Sequence, residues 1–134
     1  MKNKLFLAAL TSTIAFGCAT AAKVEMSEKA AARLAEFEPT GKTRSCMSLT
    51  TIRSIDALDE SHFLVEAAGG DYYLNKVSGR CSGAGRAGNR LQYTVTTGQL
   101  CRNEIITVVD NSQGFTVGSC GLGDYEELQE KPTE

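Results

Sequence analysis

The chain has no tryptophan, only two prolines and a single histidine, His62. One histidine cannot supply a multi-imidazole metal site. The five cysteines do not make up for it, because no two of them form the close C-x-x-C pair that zinc sites and thioredoxin-like redox centres require. After residue 17 no stretch is apolar for long enough to cross a bilayer as a helix. There is no internal repeat and no low-complexity run. A cationic excess is missing too: the formal net charge is −2, which favours solubility and argues against bulk nucleic-acid binding. No metal or other cofactor is expected.

What is present begins with an export signal. Lys2 and Lys4 precede an apolar run from Leu5 to Gly17, the length of a secretory core and too short for a spanning helix. Ile14-Ala15-Phe16-Gly17-Cys18 resembles a bacterial lipobox, with a small residue directly before the cysteine, although Ala15 stands where leucine is more usual. Ala19-Thr20-Ala21 offers a second reading, an A-x-A site for the ordinary signal peptidase. The lipobox reading is preferred. It makes residues 1–17 a signal peptide and Cys18 the lipidation site, with acyl chains each contributing roughly 0.8 kcal/mol per buried CH₂. Ala19 in second place, not aspartate, favours sorting to the outer membrane in lipoproteins of this kind. The expected location is therefore the periplasmic side of the bacterial envelope, with the membrane as partner through the lipid. Loss of Lys2 and Lys4 leaves a net charge near −4.

With Cys18 spent on lipid, Cys46, Cys81, Cys101 and Cys120 remain. An even number in a small exported domain implies two disulfides, which compensate for a limited core. Sequence alone allows three pairings. The expected one is Cys81 with Cys101, bracing a single excursion by on the order of 3 kcal/mol, and Cys46 with Cys120, joining the first strand to the last.

Along the mature chain, residues 18–26 read as a lipid-anchored tether and residues 27–38 as a helix. Ser27 would cap it, Ala30, Ala31, Leu34 and Phe37 would share one face, and Pro39-Thr40-Gly41 would end it. Residues 44–126 read as a β domain, and 127–134 as an acidic tail. Candidate strands are Cys46 to Arg53, His62 to Ala67, Tyr72 to Val77, Leu91 to Thr96, Glu104 to Val109 and Phe115 to Ser119, separated by turn-rich segments. The expected class is mainly β: a small antiparallel meander forming a sandwich or partly closed barrel, with one N-terminal helix and two disulfides.

Three features carry candidate chemistry. Gly83, Gly85 and Gly88 fit G-x-G-x-x-G, but a dinucleotide loop needs a buried strand before it and a helix opening from its third glycine, and Asn89 leads instead into a strand. The stretch reads as a flexible loop tied down by Cys81. Between Tyr72 and Asn103 there is no Asp or Glu, whereas Lys76, Arg80, Arg86, Arg90 and Arg102 all fall there. This is a candidate patch for an anionic envelope component or an envelope protein, set against the plainer reading of solvated charges balanced by the acidic remainder. Asp56, Asp59, Glu60, Ser61 and His62 cluster, yet Ser61 and His62 are adjacent and would point to opposite faces of a strand, so they read as a turn entering that strand.

The motifs "RSCMSLTTIRSID", "YYLNKVSGRCSG", "GQLCRNEIITVVD" and "GSCGLGDYE", in this order, resemble a domain-of-unknown-function family of small exported bacterial proteins, many lipoprotein-like. The likeness runs from about Arg44 to Glu126, and its most specific part is the four cysteines with the closing Cys120-Gly121-Leu122-Gly123. One departure is Asn103-Glu104 after Cys101, where similar sequences tend to have an aspartate. The resemblance implies an exported β-rich domain with structural cysteines and assigns no catalytic residue. The leading functional expectation is a cell-envelope binding or structural module. The alternatives are a periplasmic inhibitor inserting the Cys81 to Cys101 loop into the cleft of a larger enzyme, and a small hydrolase using His62 with nearby carboxylates.

Overall fold

A computed structural model describes residues 25–133; the expected signal peptide, Cys18 and most of the expected tether lie outside the described residues. The described chain starts with a short helix, α1 (Glu28–Leu34). The Ser27 side chain accepts from Ala30 N–H at its N-terminus, as its sequence position predicts. Ten strands follow: β1 (Phe37–Arg44), β2 (Cys46–Ser48), β3 (Ile52–Ala57), β4 (His62–Ala67), β5 (Tyr72–Lys76), β6 (Asn89–Gln92), β7 (Gln99–Cys101), β8 (Ile105–Asp110), β9 (Thr116–Gly121) and β10 (Tyr125–Glu130). They form a five-stranded sheet in the order β1-β10-β5-β4-β3, a three-stranded sheet β6-β8-β9 and a two-stranded ribbon β2-β7. All pairings are antiparallel and no sheet closes into a barrel.

The five-stranded sheet is covered on both faces. Leu64, Leu74 and Leu128 point to one side and meet Ala30 and Phe37. A helix of this length has little stability of its own, so this apolar contact is what holds it. On the opposite side Val65, Tyr73 and Tyr125 meet Met47 of β2, and Phe63 enters the main core with Leu100, Ile106, Val108 and Leu122. β4 therefore buries alternate residues on two faces, which explains its nearly continuous apolar sequence. Tyr125 is wholly buried and donates its hydroxyl to the Leu100 carbonyl at 3.0 Å, tying the large sheet to β7. Burial pushes its hydroxyl far above the usual tyrosine range, so it is a neutral donor.

Several boundaries differ from the sequence reading. The helix stops at Leu34, and Phe37 through Arg44, with Pro39 and Gly41, form an edge strand instead of a helix end and turn. Proline is tolerated there because β1 is paired on one side only. The expected strand Cys46 to Arg53 is two strands, separated by a turn in which Thr51 N–H donates to Ser48 C=O. Residues 127–130 are not tail: β10 runs to Glu130, between β1 and β5. The pattern is consequently no simple meander.

The disulfide pairing is also corrected. Cys46 is bonded to Cys101 and Cys81 to Cys120. Cys46 and Cys101 stand directly opposite in the β2–β7 ribbon. Cys81 opens the glycine loop, and Cys120 lies in β9, so this bond pins the loop to the three-stranded sheet.

Candidate functional site

The glycine loop is packed down. Glu60, in the β3–β4 corner, accepts Gly83 N–H on Oε1 at 2.9 Å, and its backbone carbonyl accepts Cys81 N–H at 2.7 Å. Gly83 and Gly85 both have positive φ, and a Cβ on Gly85 would stand 2.9 Å from the Ala57 carbonyl oxygen. Glycine is thus required by close backbone approach and not by a phosphate. Cys81 and Ala84 are buried with the main core.

The five cations of the acid-free segment do not converge. Arg80 and Arg86 both reach Glu60, at 2.5 and 3.9 Å; Lys76 lies 3.4 Å from Glu126, and Arg102 3.6 Å from Asp124. Each of these four stands against a carboxylate of the acidic remainder. The Gly83 N–H, with Arg80 and Arg86 beside it, holds the Glu60 carboxyl below the usual range. Arg90 has no carboxylate partner among the described residues and donates to Asn111 Oδ1 at 2.8 Å.

Ser61 and His62 are likewise employed in structure. Asp59 Oδ1 accepts from Ser61 N–H and His62 N–H, both at 2.8 Å, and lies 2.9 Å from His62 Nδ1; its Oδ2 accepts from Ser27 N–H at 2.9 Å. Burial pushes this carboxyl up, but the bonds from Ser27, Ser61 and His62 outweigh it and bring it down to about 2. One carboxylate thereby joins the start of α1 to the β3–β4 corner. The Ser61 hydroxyl points to the Gly79 carbonyl at 3.5 Å. No nucleophile, base and orienting group are lined up in this cluster. Among the described residues no group of three or more His, Cys, Asp or Glu is arranged to hold a metal.

What the sequence reading missed is a groove of about 880 Å³ between α1, the second half of β3, the glycine loop and β6. Ile55, Ala57, Leu64, Ala84 and Leu91 make its apolar lining. Lys29, Arg33, Arg86 and Arg90 stand around it, with Glu36 and Asp56 the acidic members. Arg33 is paired with Glu36 and Arg86 with Glu60, so Lys29 and Arg90 are the cations there without a carboxylate partner among the described residues. The pattern was invisible in the sequence because Lys29 and Arg33 come from the helix and Arg86 and Arg90 from the acid-free segment, and only the fold brings them to one opening.

The closing Cys120-Gly121-Leu122-Gly123 is a junction. Cys120 is disulfide-bonded, the Gly121 carbonyl accepts Ser78 N–H at 2.8 Å, Leu122 is buried, and Gly123 is bound on both sides by Asn75. Asn103 adopts φ 68°, a conformation that asparagine accepts readily, and its N–H donates to the Leu122 carbonyl.

Among the described residues, fold and site define a small antiparallel β domain with two disulfides, a short helix and a mixed apolar and basic groove. The chain belongs to the family of unknown function DUF6491, whose family model matches residues 1–124. No curated protein and no solved structure matches it.

Proposed function

We propose that this protein is a cell-envelope binding module, anchored through lipid on Cys18 at the periplasmic face of the outer membrane, whose β domain presents the α1–β3–β6 groove to a partner. The observation that carries this reading is the groove itself. Elsewhere polar groups are spent on cross-bracing: Asp59 on the helix, Glu60 on the glycine loop, Asn75 on the closing junction. At the groove, Ile55, Ala57 and Leu91 are left half-buried beside Lys29 and Arg90. Two disulfides accord with an oxidising compartment outside the cytoplasm. The Asp59–His62 pair serves helix attachment, which favours binding over hydrolysis.

Two measurements test the reading. Intact-mass analysis of protein from envelopes is expected to find acyl mass on Cys18 and partition into detergent; a soluble product beginning at Ala22 overturns the anchor. A photo-crosslinking residue replacing Ala87, beside the groove, is expected to capture a defined species in cells that the same residue at Ser119, on another face, does not. Identical patterns from both positions overturn the groove as the binding surface.

A further inference from the structure

β3 is the outer strand of the large sheet, and β6 is the outer strand of the three-stranded sheet; both border the same groove. The register tells which backbone groups of β3 are free. Leu58 N–H donates to the His62 carbonyl at 2.9 Å, and the pairs Asp56↔Leu64 and Ser54↔Glu66 continue that alternation. In an antiparallel ladder every second residue turns both its N–H and its C=O outward. Those residues here are Ile55 and Ala57. No hydrogen bond from another segment reaches their backbones among the described residues, but Gly85 of the glycine loop packs against the Ala57 carbonyl, with Leu58 and Asp59 beside it, which leaves the Ile55 N–H and C=O and the Ala57 N–H open.

Proteins normally blunt a free edge, and β1 shows how: it carries Pro39, Lys42 and a register break between Pro39 and Thr43. On β3 the irregularity lies between Ile52 and Ser54, before the open stretch. What remains is a short open edge, carrying the exposed Asp56, beside an apolar groove with Lys29, Arg86 and Arg90 around it.

We infer that the outer edge of β3 at Ile55 and Ala57 takes a short extended segment of an acidic partner polypeptide as an added strand, seated in the groove. The inference rests on the binding-module reading and adds the partner's chemistry. The Ile55 N–H and C=O and the Ala57 N–H supply ladder bonds, the half-buried Ile55 and Leu91 meet apolar side chains, and Lys29 and Arg90 receive carboxylates. A polypeptide fits better than an anionic membrane surface, because only a chain can match an alternating row of N–H and C=O groups.

The test uses the oxidised, processed protein and an end-blocked peptide of about eight alternating valine and glutamate residues. Binding is expected to move the amide resonances of Ile55 and Ala57. N-methylation of one alternate set of peptide residues should weaken binding by about tenfold or more, and methylation of the other set should be tolerated. Lys29→Glu with Arg90→Glu should weaken binding similarly while leaving thermal unfolding unchanged. Equal tolerance of both methylation patterns, or no shift at millimolar peptide, overturns strand addition. If phosphatidylglycerol vesicles then shift the groove resonances, strand addition falls and the binding-module reading stands. If neither probe shifts them, both fall.

Discussion

Asn75, fully buried in β5, grips Gly123 on both sides: its side-chain amide donates to the Gly123 carbonyl and its side-chain oxygen accepts Gly123 N–H, each at 2.8 Å. Asn75→Ala removes both bonds and strands two backbone groups, so a loss of about 2–4 kcal/mol is expected in urea unfolding. A Cβ on Gly123 would come within 2.1 Å of the Lys76 carbonyl, whereas one on Gly121 would meet nothing closer than 3.9 Å. Gly123→Ala should therefore destabilise far more than Gly121→Ala. Equal effects would contradict the close-packed junction.

Asp59 sets an acid limit. Its carboxyl titrates at about 2 in the folded state, below its ordinary 3.8, so its contribution is complete above about pH 4 and is lost as pH falls toward 2. Allowing for solvent screening, this amounts to on the order of 1–2 kcal/mol. The stability gap between wild type and Asp59→Asn should be constant near neutral pH and shrink below pH 4. A gap that persists at pH 2 would show that the charge is not what ties Ser27 to the corner.

The two disulfides should differ in access. Cys81 is fully buried and Cys120 nearly so, while Cys46 and Cys101 are half-buried in the two-stranded ribbon. Mild reductant without denaturant should open Cys46–Cys101 first, because exchange needs an approachable sulfur. Differential alkylation followed by peptide mass spectrometry reads the order directly. Loss of either bond alone should cost about 4 kcal/mol by loop-closure entropy.

Glu60→Gln weakens the hold on the glycine loop. The amide retains an acceptor for Gly83 N–H but loses the charge facing Arg80 and Arg86. Hydrogen exchange at Gly83 should accelerate several-fold, an effect on the order of 1 kcal/mol, with the core amides of β4 unchanged. Uniform acceleration across β4 would mean that Glu60 supports the whole fold.

The sequence revealed the elements whose own side chains carry the signal. His62 to Ala67 is a strand at the expected bounds, Ser27 caps the helix, and the glycine loop ends in a strand. Elements defined by their neighbours were hidden. Pro39 and Gly41 mask β1, because whether a proline sits on an edge is a property of the sheet. In β10 the buried Tyr125 and Leu128 are interleaved with Glu126, Glu127 and Glu130, which gives a tail-like composition to a strand paired on both sides. The disulfide pairing follows from β2 lying against β7, a long-range pairing that cysteine spacing does not encode. The groove combines cations from the helix and from the acid-free segment, which only the packed fold brings together.

The position of β10 governs the order in which the domain can assemble. Within the five-stranded sheet β1, the first strand, pairs only with β10, the last, so its backbone stays unpaired until nearly the whole domain has been delivered. Contacts this distant in sequence make folding slow and cooperative, with the closing step late. A chain delivered N-terminus first would therefore hold an open β3-β4-β5 hairpin array with β1 unpaired until its last strand arrives. The large sheet would be completed only when Tyr125 and Leu128 enter between strands that have been waiting for them.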